Sequence, residues 1–164
     1  MLSFHKVQNK QDIKQTAELA EEIWNQHFIK ILSQEQINYM VQKFQSEHAM
    51  TSQIQNGYSY YMFDLDGEKI GYFAVCPEND KTLFLSKLYI KKEYRGNGYA
   101  SKAFEFIKEI ARENNLYRVW LTVNRNNSDT IAVYKHFGMN IIREQVTDIG
   151  NNFVMDDFVF AYDL

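Results

Sequence analysis

The chain of 164 residues has a single cysteine, Cys76, so no disulfide closes within it; that usage suits a reducing cytoplasm. It has one proline, Pro77, and no low-complexity linker or internal repeat, which argues against a disordered tail or a collagen-like array. No run approaches the roughly 18 uncharged apolar residues that a membrane span needs. The opening MLSFHKVQNKQDIK is polar and lacks an apolar signal core. A formal net charge of -3 supplies no basic field, which argues against a nucleic-acid partner. What is present is 45% apolar residues, enough to build a core in one domain over residues 1–164. The expectation is one soluble cytoplasmic domain.

The hydrophobic period changes along the chain. A short strand is expected at Ser3–Val7. Ile13, Ala17, Ala20, Trp24 and Phe28 recur at helical spacing and predict a helix over Gln11–Phe28. Ile37, Met40, Val41 and Phe44 predict a second over Glu35–Gln45. A third, Glu47–Gln55, stops at Asn56-Gly57. The period then becomes two: Tyr58–Asp64 and Glu68–Cys76 flank Asp66-Gly67, a strong hairpin signal. A strand at Thr82–Ile90 is followed by a helix over Gly98–Asn114, with Ala103, Phe104, Ile107, Ile110 and Ala111 on one face. A strand at Arg118–Asn124, a helix at Ser128–Phe137 and two closing strands, Asn140–Asp148 and Phe153–Asp163, that meet at Ile149-Gly150-Asn151-Asn152 complete the order. This is an α+β layer structure, a mixed and mostly antiparallel sheet of six to seven strands with helices on both faces.

Chemistry is concentrated between Leu88 and Lys102, where a strand ends, a glycine-rich loop follows and a helix begins. The first amides of a helix lack internal partners and carry partial positive charge. Glycines let that backbone approach an anion, which makes the segment a pyrophosphate cradle or, more plainly, a flexible turn. No Gly-Lys-Ser/Thr ends it, so it is not a Walker loop, and Gly-x-Gly-x-x-Gly is incomplete.

Arg95-x-x-Gly98-x-Ala100 matches the acyl-CoA-binding signature of the GNAT (Gcn5-related N-acetyltransferase) family, Gln/Arg-x-x-Gly-x-Gly/Ala. Asn127 stands seven residues before Tyr134 and Gly138 four after it, which resembles the family's second motif, Asn-x-x-Ala-x-x-Leu-Tyr-x-x-x-Gly-Phe. Thr130 and Met139 depart from that pattern without touching the chemistry. The resemblance implies the GNAT fold and acetyl-CoA as co-substrate, with no metal. The acceptor it implies is a primary amine, and the whole pattern is most similar to small bacterial polyamine-acetylating enzymes. Exposed strand edges in this fold often pair, so a homodimer is among the expectations.

By the same resemblance the backbone of Leu88, Tyr89 and Ile90 receives the pantetheine arm. Arg95, Gly96, Asn97, Gly98, Tyr99, Ala100 and Ser101 hold the pyrophosphate. Asn127 bonds pantetheine or serves as a helix N-cap, and Tyr134 is the acid that protonates the CoA thiolate. An aromatic wall of Trp24, His27 and Phe28, facing Asp148, Asp156 and Asp157, suits a cationic amine, although the aromatics could equally fill the core. A lysine-like amine is about 99.9% protonated at pH 7.4, roughly 4 kcal/mol from its reactive form. Many relatives carry a glutamate on the fourth strand for that proton, whereas Phe84-Leu85-Ser86-Lys87 has no carboxylate. Glu68, Asp64, His27 and the Asp156-Asp157 pair are then the candidates, or water alone, in which case the rate should rise over about pH 7 to 9. The alternatives are a silent acyl-CoA-binding module, or an enzyme that acts on a protein N-terminus or lysine.

Overall fold

Short polar side chains open the first three helices in a computed structural model that describes residues 1–164. Asn9 Oδ1 accepts from Asp12 N at 2.9 Å ahead of α1 (Lys10–His27). Ser33 Oγ accepts from Gln36 N ahead of α2 (Gln34–Phe44), and Ser46 Oγ from Ala49 N ahead of α3 (Glu47–Gln55). Each satisfies an amide that the helix cannot, worth about 1 kcal/mol. Phe28, expected to end the first helix, begins a separate 3-10 turn, Phe28–Lys30.

The strands are β1 (Leu2–Lys6), β2 (Ser59–Leu65), β3 (Glu68–Pro77), β4 (Thr82–Ile90), β5 (Arg118–Asn124), β6 (Asn140–Gly150) and β7 (Phe153–Asp163). The later helices are α4 (Tyr99–Glu113) and α5 (Ser128–His136). The strands form a seven-stranded sheet in the order β1-β2-β3-β4-β5-β7-β6. β4 and β5 run parallel, while β1·β2, β2·β3, β5·β7 and β6·β7 are antiparallel. This is the mixed, mostly antiparallel α+β arrangement expected. Both predicted turns sit in the left-handed region, Asp66 at φ 52° and Gly67 at 96°, Asn151 at 55° and Asn152 at 63°; residues of these types tolerate it best. No helix is long and apolar enough to cross a membrane.

The chain packs as two compact units, Met1–Cys76 with Lys87–Ala103, and Pro77–Ser86 with Phe104–Leu164. In the first, α1 presents Leu19, Ala20 and Ile23 at helical spacing to Tyr60 and Met62 of β2 and Tyr72 and Ala74 of β3, with Met50 from α3 completing the core. Across the pleat, Phe4, Tyr61, Phe63 and Phe73 pack ring on ring at 4.9–6.1 Å. Gly71 is required where β3 passes β4: a Cβ there would lie 2.4 Å from Tyr89 O. In the second unit Val119, Leu121 and Val123 alternate inward along β5. Phe104 of α4 stacks on Phe137 and meets Tyr162 of β7 at 5.6 Å, while Tyr134 of α5 meets Phe160 of β7 at 6.3 Å.

Candidate active site

The strand–loop–helix segment lies within the first unit. The end of β4 is held by Lys91 N donating to Ile70 O at 2.8 Å, and Arg95 Nε reaches back to Ile90 O at 2.9 Å. The Arg95 side chain therefore braces the loop onto the strand as well as bringing charge. Gly96 and Gly98 take φ of +80° and +78°, and an added Cβ at either would meet no atom within 4 Å. Residues 95–98 are exposed. Such a loop presents backbone to open space immediately before the N-terminus of a fifteen-residue helix, which suits an anionic group. Helix α4 starts at Tyr99, one residue later than expected, because Gly98 has left the right-handed region.

Trp24, Phe28 and Tyr89 come together in the same unit: Trp24 to Phe28 at 4.2 Å, Trp24 to Tyr89 at 5.6 Å, and Phe28 to Tyr89 at 6.0 Å between ring centres. Trp24 and Phe28 are buried, so they pack as core under the strand rather than open as a wall. His27, edge-on to Phe28 at 4.6 Å, is partly exposed. The indole N–H of Trp24 is buried with no hydrogen-bond partner.

Where a β4 carboxylate was missing, the structure places a buried lysine. Lys87 Nζ donates to Phe44 O at 2.5 Å, to Gln53 Oε1 at 3.0 Å and to the Tyr60 hydroxyl, and sits 4.9 Å from the Tyr60 ring centre. Phe44 supplies one of the last carbonyls of α2, a position that favours a cation. No carboxylate joins the cluster, and burial pushes the Lys87 ammonium down to about 7 from 10.5. The unfolded chain therefore binds more protons than the native state between those values, so stability increases with pH there and is lost as pH falls towards 7. Urea unfolding should show a gain of about 2 kcal/mol from pH 7 to 9 that Lys87→Met removes. An equal slope in both proteins would clear Lys87 as its source.

The second unit holds the other motif. Asn127 is buried at the start of α5, its N–H on Asn124 O at 2.9 Å, and its side chain makes no capping bond to the helix. Tyr134 is 6% exposed. Its ring packs on Phe137 and Phe160, and its hydroxyl makes no hydrogen bond to the protein. Burial raises its pKa above the ordinary phenol value, so it is protonated at every physiological pH.

The candidate carboxylates separate clearly. Asp64 is paired to Lys69 at 2.5 Å and accepts from Gly67 N, bonds that hold it below the usual carboxylate range. Glu68 accepts from Tyr94 at 2.5 Å. Asp156, expected in an acceptor site, is bound by Arg125 Nε at 3.2 Å, and the same guanidinium takes Glu144 at 2.5 Å. Asp157 beside it is 2% exposed. Burial, and then the charge of Asp156, push it up to about 6. Sequence reasoning missed Gly71 and the Lys87 cluster; a glycine inside an apolar strand was the only advance signal for the first.

The fold is that of known acetyl-transferring enzymes. It superposes on the PaiA N-acetyltransferase of Thermoplasma acidophilum, solved in complex with coenzyme A, with a TM-score of 0.83 and 20% identity over 100% of this chain and 99% of that one. The acetyltransferase (GNAT) family matches residues 16–139, and the chain belongs to it. As a member it is an N-acetyltransferase whose donor is acetyl-CoA. It is similar to an uncharacterised N-acetyltransferase in the pepI 3′ region of Lactobacillus delbrueckii subsp. lactis, 23% identical over 152 residues and 88% of each chain. It is also similar to a putative ribosomal protein bS18-alanine N-acetyltransferase of Bacillus subtilis, 29% identical over 103 residues, 60% of this chain and 68% of that one.

Proposed function

We propose that residues 1–164 act as one catalytic domain that moves an acetyl group from acetyl-CoA to a primary amine of a small molecule, by direct attack of the neutral amine on the thioester. In this reading the β4 backbone at Leu88 to Ile90 receives the pantetheine arm. The amides of Arg95 to Ala100, with Ser101, take the pyrophosphate, and Asn127, at the start of α5, bonds the arm. As the nitrogen bonds to the acetyl carbon and the carbon–sulfur bond breaks, the electron pair stays on sulfur and Tyr134 gives it a proton.

One observation favours an enzyme over a silent binding module: the Tyr134 side chain is buried, yet its hydroxyl makes no hydrogen bond to the protein and is not sealed in as the Trp24 indole N–H is. Buried phenols are ordinarily satisfied; one left over is available to a ligand, and binding alone has no use for it. The acceptor is a small primary amine. The two sequence relatives named above, one uncharacterised and one bearing the name of a ribosomal-protein enzyme, give the narrower likeness to polyamine enzymes no support. The test is thiol release from acetyl-CoA across polyamines, amino acids, aminoglycosides and a peptide beginning with alanine. Release with a small amine is the expected result. Release with the peptide alone would change the acceptor, and none at all would defeat the enzyme reading.

A further inference from the structure

β7 pairs with β5 without interruption, Trp120 opposite Ala161, Thr122 opposite Val159 and Asn124 opposite Asp157. Phe160 packs on Tyr134 and Tyr162 on Phe104. Successive side chains alternate along a strand, so Asp157, Val159 and Ala161 point to the other face, the one that carries the Phe84–Trp120 stack at 4.3 Å. There Asp157 is buried without a hydrogen bond or an ion pair. The charge that acts on it is Asp156, beside it on β7, and Arg125 is committed to Asp156 and to Glu144 of β6. Asn124 and Gln145 stand opposite it on β5 and β6 and bring no charge.

We infer that Asp157 binds the acceptor's ammonium and takes its proton, acting as the general base of the reaction. The inference rests on the acetyl-transfer reading above. An unpartnered buried carboxylate is costly to keep, and a cationic substrate is the partner that removes the cost. Titrating near 6, it is ionised at neutral pH yet basic enough to accept a proton. One N–H proton of the ammonium passes to the Asp157 carboxylate and on to solvent, leaving the lone pair that attacks the acetyl carbon. The second leaves the nitrogen as the amide forms and restores the proton that Tyr134 gives to sulfur. The third stays on the amide. A resident base replaces the expected continuous rise of rate with pH.

The experiment is kcat/KM from about pH 5.5 to 9 for wild type and Asp157→Asn, by thiol release with acetyl-CoA and the best primary amine of the panel. Wild type should level off above about pH 7, one unit past the carboxyl's titration. The variant should lie about 100-fold lower at pH 7 and climb about tenfold per pH unit as solvent supplies neutral amine. Its affinity for coenzyme A should be unchanged and its Tm raised, because no charge is buried at that position. Superimposable profiles would overturn the inference alone. So would a wild-type rate still climbing tenfold per unit to about pH 9, a result that needs no folded variant. Coenzyme A binding without turnover on any amine would defeat the acetyl-transfer reading and the inference with it.

Discussion

Tyr134→Phe should keep the fold and the affinity for coenzyme A while losing about two orders of magnitude in kcat, the usual scale for a positioned acid. The ring contacts to Phe137 and Phe160 survive the change. The hydroxyl has no protein partner, so its removal strands no buried donor or acceptor, the step that usually makes such changes costly. The departing thiol has a pKa of roughly 8.5, below even an ordinary phenol near 10, so Tyr134 acts by stabilising the charge that grows on sulfur as the carbon–sulfur bond breaks, and its proton transfers as the nitrogen's proton is returned to it. The loss should therefore fall on kcat and leave KM for acetyl-CoA nearly constant, a pattern that a packing defect would not give. Steady-state kinetics beside a thermal melt reads both. Wild-type turnover in the variant would make Tyr134 a core aromatic and leave the thiolate to take its proton from water.

Gly98→Val should abolish coenzyme A binding, with a loss of affinity of roughly 100-fold or more. Gly98 sits at φ +78°, where an L side chain costs about 1–2 kcal/mol and a β-branched one more. No protein atom lies within 4 Å of its added Cβ, so the new side chain enters the open space over the loop instead of displacing the core. The fold should survive with a modest fall in Tm, and the effect should appear in binding. Calorimetry that returns the wild-type affinity would remove the loop from the cofactor site.

The parts of the molecule written in local signals were legible beforehand. Asp66-Gly67 and Asn151-Asn152 adopt the left-handed turns their residue types favour. Ala103, Phe104, Ile107 and Ala111, picked out by period alone, are buried. What escaped depends on pairing between distant segments. The need for Gly71 exists only because Tyr89 O passes 2.4 Å from where its Cβ would be. Lys87 reads as an ordinary strand lysine until Phe44, Gln53 and Tyr60 close around it. Trp24 and Phe28 suit an exposed cation-binding wall or a core equally well by composition, and packing against Tyr89 decides for the core. Asp156 and Asp157 are the sharpest case. They are chemically identical neighbours, yet strand alternation sends one to Arg125 and the other to a buried face without a cation.

The central claim, acetyl transfer to an amine, is tested most directly by following a carbon-13-labelled acetyl group from acetyl-CoA by mass spectrometry. The predicted result is an N-acetylated amine formed in step with free coenzyme A, one for one, at a rate that Tyr134→Phe lowers. Label that stays on coenzyme A with every amine, or leaves only as acetate, would contradict the account.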